Sequence, residues 1–106
     1  MSKRQATFIP GKPFWVNVRQ EHVENGVECE PYGCPIYLAI RERLPALRFG
    51  VLAEFIDLEE ELYPYVRKVP LPAVAIEWRE AFDAGVKSYP FKFQLTIPAK
   101  PERREA

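Results

Sequence analysis

Apolar residues recur along this chain in two periods, and the periods alternate. At Phe14-Trp15-Val16-Asn17-Val18 the period is two, with Phe14, Val16 and Val18 on one face, which predicts a strand. Gln20 to Asn25 predicts one short helical turn, ended by Asn25-Gly26. A loop follows from Val27 to Gly33. At Cys34-Pro35 the period changes to three and four, and Ile36, Ala39, Ile40 and Leu44 form one stripe, with Arg41, Glu42 and Arg43 facing largely outward. Pro35 suits the first helical position, where its missing N–H has no partner to lose. Pro45 stops the helix, because it disfavours the helical conformation at Leu44 and cannot donate to the ladder.

Arg48 to Leu58 reads as one strand, apolar on both faces and therefore central or covered on both sides. Glu59-Glu60-Glu61 is the turn, and Tyr63 to Val69 returns as a second strand. Pro64 removes one ladder donor, which places that strand at a sheet edge or gives it a bulge. Pro70-Leu71-Pro72 leads into a helix over Ala73–Ala84. Its stripe is Val74, Trp78, Ala81 and Phe82, with Glu77, Arg79, Glu80 and Asp83 mainly off it. Gly85 is placed for the left-handed residue after a helix. The last segment alternates most clearly: Phe91, Phe93, Leu95 and Ile97 face one way, Lys92, Gln94 and Thr96 the other, and Pro98 ends it.

The expected class is α+β: a small four-stranded sheet covered on one face by two helices, in the order β-α-β-β-α-β of a split β-α-β unit. Residues 1–12 form an N-terminal arm, 13–98 a single domain and 99–106 a charged tail. The 106 residues suit one domain, and the 47% hydrophobic and 13% aromatic fractions support a packed core. Fifteen basic and fifteen acidic side chains give a net charge of +0, which argues against a general nucleic-acid or anionic-membrane binder. No apolar run approaches the ~18–20 residues that span a bilayer. The start, Met1 to Thr7, lacks the apolar region of a secretory signal. Two cysteines, Cys29 and Cys34, are too few for a disulfide scaffold, so a cytoplasmic compartment with reduced thiols is expected. The eleven prolines fall mostly at element boundaries and act as punctuation.

Three groups of residues invite chemistry. His22, Cys29 and Cys34 are the soft metal-capable set, spaced H-x6-C-x4-C. A fourth ligand would have to come from Glu28, Glu30 or water, against the paired short spacings of structural zinc sites. The bland alternative makes Cys34 a packed helix-start residue and His22 a surface or capping residue. Cys34 could also be a thiol nucleophile with His22 as base, but Pro35 removes an N–H from the helix start and nothing supplies an orienting third group. The carboxylates Glu54, Asp57, Glu59, Glu60 and Glu61 form a dense run, either a solvated turn or an acidic recognition patch. Tyr63 and Tyr65 share a strand face beside Arg67 and Lys68, an aromatic-plus-arginine combination that protein interfaces enrich and that could equally stack on a nucleobase. Tyr32 adds to that surface. Phosphate-binding loops, dinucleotide fingerprints and zinc-protease or hydrolase motifs are absent.

The string Val16-Asn17-Val18…Glu21-His22-Val23…Gly26…Cys29…Cys34-Pro35-Ile36-Tyr37-Leu38-Ala39-Ile40, with Leu71-Pro72…Phe82-Asp83-Ala84-Gly85…Pro90-Phe91-Lys92-Phe93, resembles small bacteriophage- and prophage-encoded proteins. In these a His and a Gly precede a Cys-Pro helix start, and an FDAG…PF.F segment closes the domain. The resemblance implies a small accessory protein that binds and modulates a host protein, as an inhibitor or counter-defence factor, without catalysis or cofactor. The expected contact is the hairpin surface of Glu59, Glu60, Glu61, Tyr63, Tyr65 and Arg67. The alternatives are a nucleotide or signal-ligand sponge using those aromatics with Arg67 and Lys68, and an enzyme built on Cys34 and His22.

Overall fold

The computed structural model describes residues 11–59 and 67–97. It is an α+β structure. Along the chain run β1 (Phe14–Val18), α1 (Gln20–Asn25), α2 (Pro35–Arg43), β2 (Phe49–Val51), β3 (Phe55–Leu58), β4 (Lys68–Pro70), α3 (Ala73–Asp83) and β5 (Phe91–Leu95). The expected single four-stranded sheet is instead two antiparallel sheets: a ribbon of β1 with β5, and a meander ordered β2-β3-β4. In the ribbon Val16 lies opposite Phe93, so the inward faces of the two strands coincide.

The difference arises at Arg48–Leu58. One continuous strand was expected there, but the chain folds back at Ala53-Glu54. Phe49 then pairs with Leu58 and Val51 with Ile56. The Leu52 N–H donates to the Phe55 carbonyl at 2.8 Å. That turn contains no Gly, Pro or Asn. Its support comes from α3: the Arg79 Nη1 donates to the carbonyls of both Val51, at 2.7 Å, and Leu52. The strand expected over Tyr63–Val69 is present as β4, at the edge of the meander; the expected turn at Glu60-Glu61 and the strand's start at Tyr63–Val66 lie outside the described residues. So do most of the N-terminal arm and all of the charged tail.

α3 is also rotated relative to its expected stripe. Ala75 and Arg79 are its buried residues, whereas Val74 is exposed. Trp78 and Phe82 form an aromatic layer outside that line. The Trp78 ring stacks on Phe82 and on Phe91, with centroids 5.6 and 4.7 Å away. The indole Nε1 donates to the Tyr89 carbonyl at 2.9 Å. Gly85, at φ 82°, follows the helix as expected; Val86 N–H reaches the Ala81 carbonyl and Gly85 N–H the Phe82 carbonyl, which satisfies the helix's last acceptors. Gly26 serves a different purpose. Its backbone is extended (φ −78°), and a Cβ there would sit 2.5 Å from the Pro35 ring, so glycine is needed for the close approach of α1's end to α2's start.

One apolar core joins the two sheets. Val16, Val18, Phe93 and Leu95 enter it from the ribbon, Val51, Ile56 and Leu58 from the meander, and Ile36 and Ile40 from α2. Arg79, 6% exposed, is the charged side chain at its margin. Asp83 Oδ2 lies 3.2 Å from the Arg79 Nε, whose N–H is not aimed at it, so the two attract as charges without a formed hydrogen bond. Arg79→Leu should strand the Val51 and Leu52 carbonyls and cost about 3 kcal/mol of unfolding free energy. Urea denaturation monitored by tryptophan fluorescence checks this, and a loss of a few tenths would show that the guanidinium does not hold the turn.

Candidate functional site

β1 presents Trp15 and Asn17 on the side opposite Val16 and Val18, and Arg19 continues that side beyond the strand. α2 presents Ala39, Glu42 and Arg43, spaced by three and four so that they share a helix face. Together with Pro13 and Phe14 these residues line an open cleft of about 640 Å³ between strand and helix. That lies within the ~300–1,000 Å³ typical of ligand sites.

Both rings at the cleft carry a cation. The Arg43 guanidinium carbon stands 5.1 Å from the Phe14 ring centre, and the Lys92 Nζ, from β5, stands 4.9 Å from that of Trp15. Trp15 is half exposed. Among the described residues neither Arg43 nor Lys92 meets a carboxylate. The cleft's own acid is already committed, since the Arg19 Nη2 lies 2.8 Å from each Glu42 oxygen and 2.7 Å from Glu21 Oε2. The Arg19 hydrogen bond holds the Glu42 carboxyl below its ordinary range; desolvation opposes this less strongly, and the His22 hydrogen bond adds a still smaller lowering. Excess positive charge beside aromatic surface is therefore the cleft's electrostatic character.

His22 closes the other end of this polar group. It is buried, as the capping residue of the bland alternative. Its Nδ1 accepts the Arg19 backbone N–H at 2.9 Å, and its Nε2 lies 3.0 Å from Glu42 Oε1. These contacts assign the ring proton to Nε2, where it faces the carboxylate. Glu21, His22 and Glu42 do bring three ligand-type atoms within 4.8 Å of one another. A cation at Nε2 would need that proton removed while Nδ1 still accepts from the backbone. The Arg19 guanidinium already pairs with both carboxylates, so the group works as a clamp between α1 and α2.

Neither cysteine joins that group. Cys34 is the fully buried N-cap of α2, its Sγ accepting the Tyr37 N–H at 3.4 Å, and burial pushes its thiol pKa up. A raised pKa is the reverse of what a nucleophilic thiolate needs. Cys29 is exposed, adopts φ 57°, and donates its N–H to Asp83 Oδ1 at 2.9 Å. Of the expected hairpin surface, Glu59 is half-buried and Arg67 is exposed, 3.4 Å from both Asp57 oxygens. Glu60, Glu61, Tyr63 and Tyr65 lie outside the described residues. Tyr32 is exposed, with its ring over Gly50 and edge-on to Tyr37.

The sequence reading passed over Trp15, Arg19, Glu42 and Arg43 as site residues. Trp15 did carry a signal, a large ring at the solvent-side register of an otherwise clean alternation. The pairing of Arg19 with Glu42, 23 positions apart, carried none.

Two outcomes follow. A thiol reagent should modify Cys29 in the folded protein and Cys34 only on unfolding; equal rates for both would contradict the burial of Cys34. Glu42, with a folded-state pKa below its ordinary 4.5, stabilises the fold above that value and loses this contribution as pH falls through the lowered one. Thermal melts between neutral and acidic pH should therefore show a shallower acid loss in Glu42→Gln than in the parent chain, and identical slopes would refute the clamp.

No family model, curated protein or solved structure matches this chain.

Proposed function

We propose that this chain is a small non-enzymatic binding protein that docks another protein at the cleft between β1 and α2. The observation that carries this reading is the cleft's surface: a half-exposed Trp15, Phe14 and two cations that meet no carboxylate among the described residues. Tryptophan, other aromatics and arginine are the side chains that supply most binding energy at protein interfaces. The resemblance to phage-encoded accessory proteins supports a host protein as the partner and the host cytoplasm as the compartment. The acidic turn and the Tyr63, Tyr65 and Arg67 strand remain in the proposal as a second contact surface. No described helix is long and apolar enough to cross a membrane.

The cleft's size favours a second reading, a pocket for a nucleotide-like ligand with its ring on Trp15 and its phosphates on the cations. A thermal-shift series with nucleotides separates the two, since a ligand that binds only the folded state raises the melting temperature.

The leading reading is tested by using the chain as bait in lysate of cells that express it. Trp15→Ala combined with Arg43→Glu should abolish recovery of the partner, with circular dichroism confirming the fold. Tyr65→Ala with Glu60→Lys should weaken recovery. Absence of any partner, or unchanged recovery in both variants, would overturn it.

A further inference from the structure

The described residues contain four sheet edges, and three are blunted. β2 is short, and its Val51 N–H is taken by the Pro31 carbonyl. β4 carries Lys68 and ends at Pro70. β5 has Lys92 near its start. Short length, lysine, proline and covering loops are the devices by which sheets avoid stray pairing. β1 has none of them within its span: Phe-Trp-Val-Asn-Val is aromatic and β-branched, uncharged and five residues long. Among the described residues it pairs with β5 alone, and its own residues form one wall of the cleft whose other wall is α2. A groove between an open strand edge and a helix is the geometry in which an extended segment joins a sheet, with main-chain hydrogen bonds supplying affinity and side chains in the groove supplying choice.

We propose that β1 accepts an extended, acidic peptide segment of the partner protein as an added strand, lying in the groove between β1 and α2. This rests on the protein-binding reading above and adds the partner's conformation and charge. The charge follows from the groove. Arg43 and Lys92 carry no carboxylate partner among the described residues, and Glu42 is held by Arg19. A carboxylate on the side where Trp15 and Asn17 point meets Lys92, and one at the Phe14 end of the groove meets Arg43. The segment's intervening apolar side chains can cover Phe14 and Ala39.

The probe is a short synthetic peptide alternating glutamate with valine, added to the full-length chain. Three companions are a lysine-for-glutamate version, a version N-methylated at alternate amides, and a nucleoside triphosphate. Amide hydrogen exchange should slow at alternate positions between Phe14 and Val18 when the acidic peptide binds. Binding should be at least about tenfold weaker for the lysine peptide, for the N-methylated peptide and for the Arg43→Glu chain, and should weaken with added salt. Equal binding of the N-methylated peptide would overturn strand addition. Binding of the nucleotide without the peptide, or protection of β1 that rises with the chain's own concentration, would overturn the acidic-segment partner. If no peptide binds while partner capture still depends on Trp15 and Arg43, the strand-addition inference falls and the protein-binding reading stands.

Discussion

The fold turns on one buried guanidinium. Arg79 leaves α3 and reaches the carbonyls of Val51 and Leu52, where β2 ends and the chain must reverse. Those carbonyls lie at a turn of Leu52-Ala53-Glu54, residues with no intrinsic liking for reversal. Without a donor they would be acceptors stranded at the core's edge, at a cost comparable to losing a hydrogen bond each. With Arg79 in place the reversal becomes the satisfied arrangement, and β2, β3 and α3 are ordered together. The same side chain attracts Asp83, whose other oxygen accepts the Cys29 N–H. The loop before α2 is thereby tied to the far helix. A charge is costly to bury, and this one is tolerable because two carbonyls and a carboxylate surround it.

A second constraint joins α1 to α2. Gly26 lets the end of α1 come within van der Waals contact of the Pro35 ring, at the point where α2 begins. Arg19, His22 and Glu42 hold the two helices on their exposed side. The exposed ion pair alone contributes little. Its geometry matters more, because the imidazole is fixed at both nitrogens and cannot rotate without losing a backbone cap. With α1 fixed, α2 lies alongside β1 at a set distance, and the space left between them is the cleft. The candidate site is thus a by-product of helix placement, and its charge is what remains after the clamp consumes Glu42.

Local signals in the chain were legible, and long-range ones were not. The alternation at Phe91–Ile97, the Pro35 helix start and the glycine after α3 each follow from the physics of a few neighbouring residues, and each appears where expected. The reversal at Ala53-Glu54 does not, because its cause sits more than twenty residues away on α3. Counting Arg79 as polar placed it off the helix stripe, yet it has a methylene stem as well as a charge, and the stem can line a core once the head finds acceptors. That one side chain turns the helix toward Ala75 and Arg79 and splits the expected strand into β2 and β3. His22 was legible only as a choice between ligand and cap, since capping depends on the partner at its second nitrogen. Arg19 and Glu42 are ordinary surface charges in the sequence and become a clamp only when two helices are laid side by side.

The open edge of β1 raises the question of what keeps two copies of this chain from pairing with each other. An antiparallel β1–β1 pairing about a two-fold axis would lay side by side two strands that are each flanked by Arg43 of α2 and Lys92 of β5. Like charges within a Debye length, ~8–10 Å, repel. Glu42, the one acid among the described residues that line the cleft, cannot compensate, because Arg19 holds both of its oxygens. An acidic strand meets the same cations as partners. One pair of positive side chains would therefore do two things at this edge: disfavour pairing with a second copy of the chain and attract the proposed partner. Specificity of this kind rests on the difference between two encounters. It needs no charge within the strand, so β1 can remain wholly uncharged in a protein whose net charge of +0 offers no general repulsion between copies.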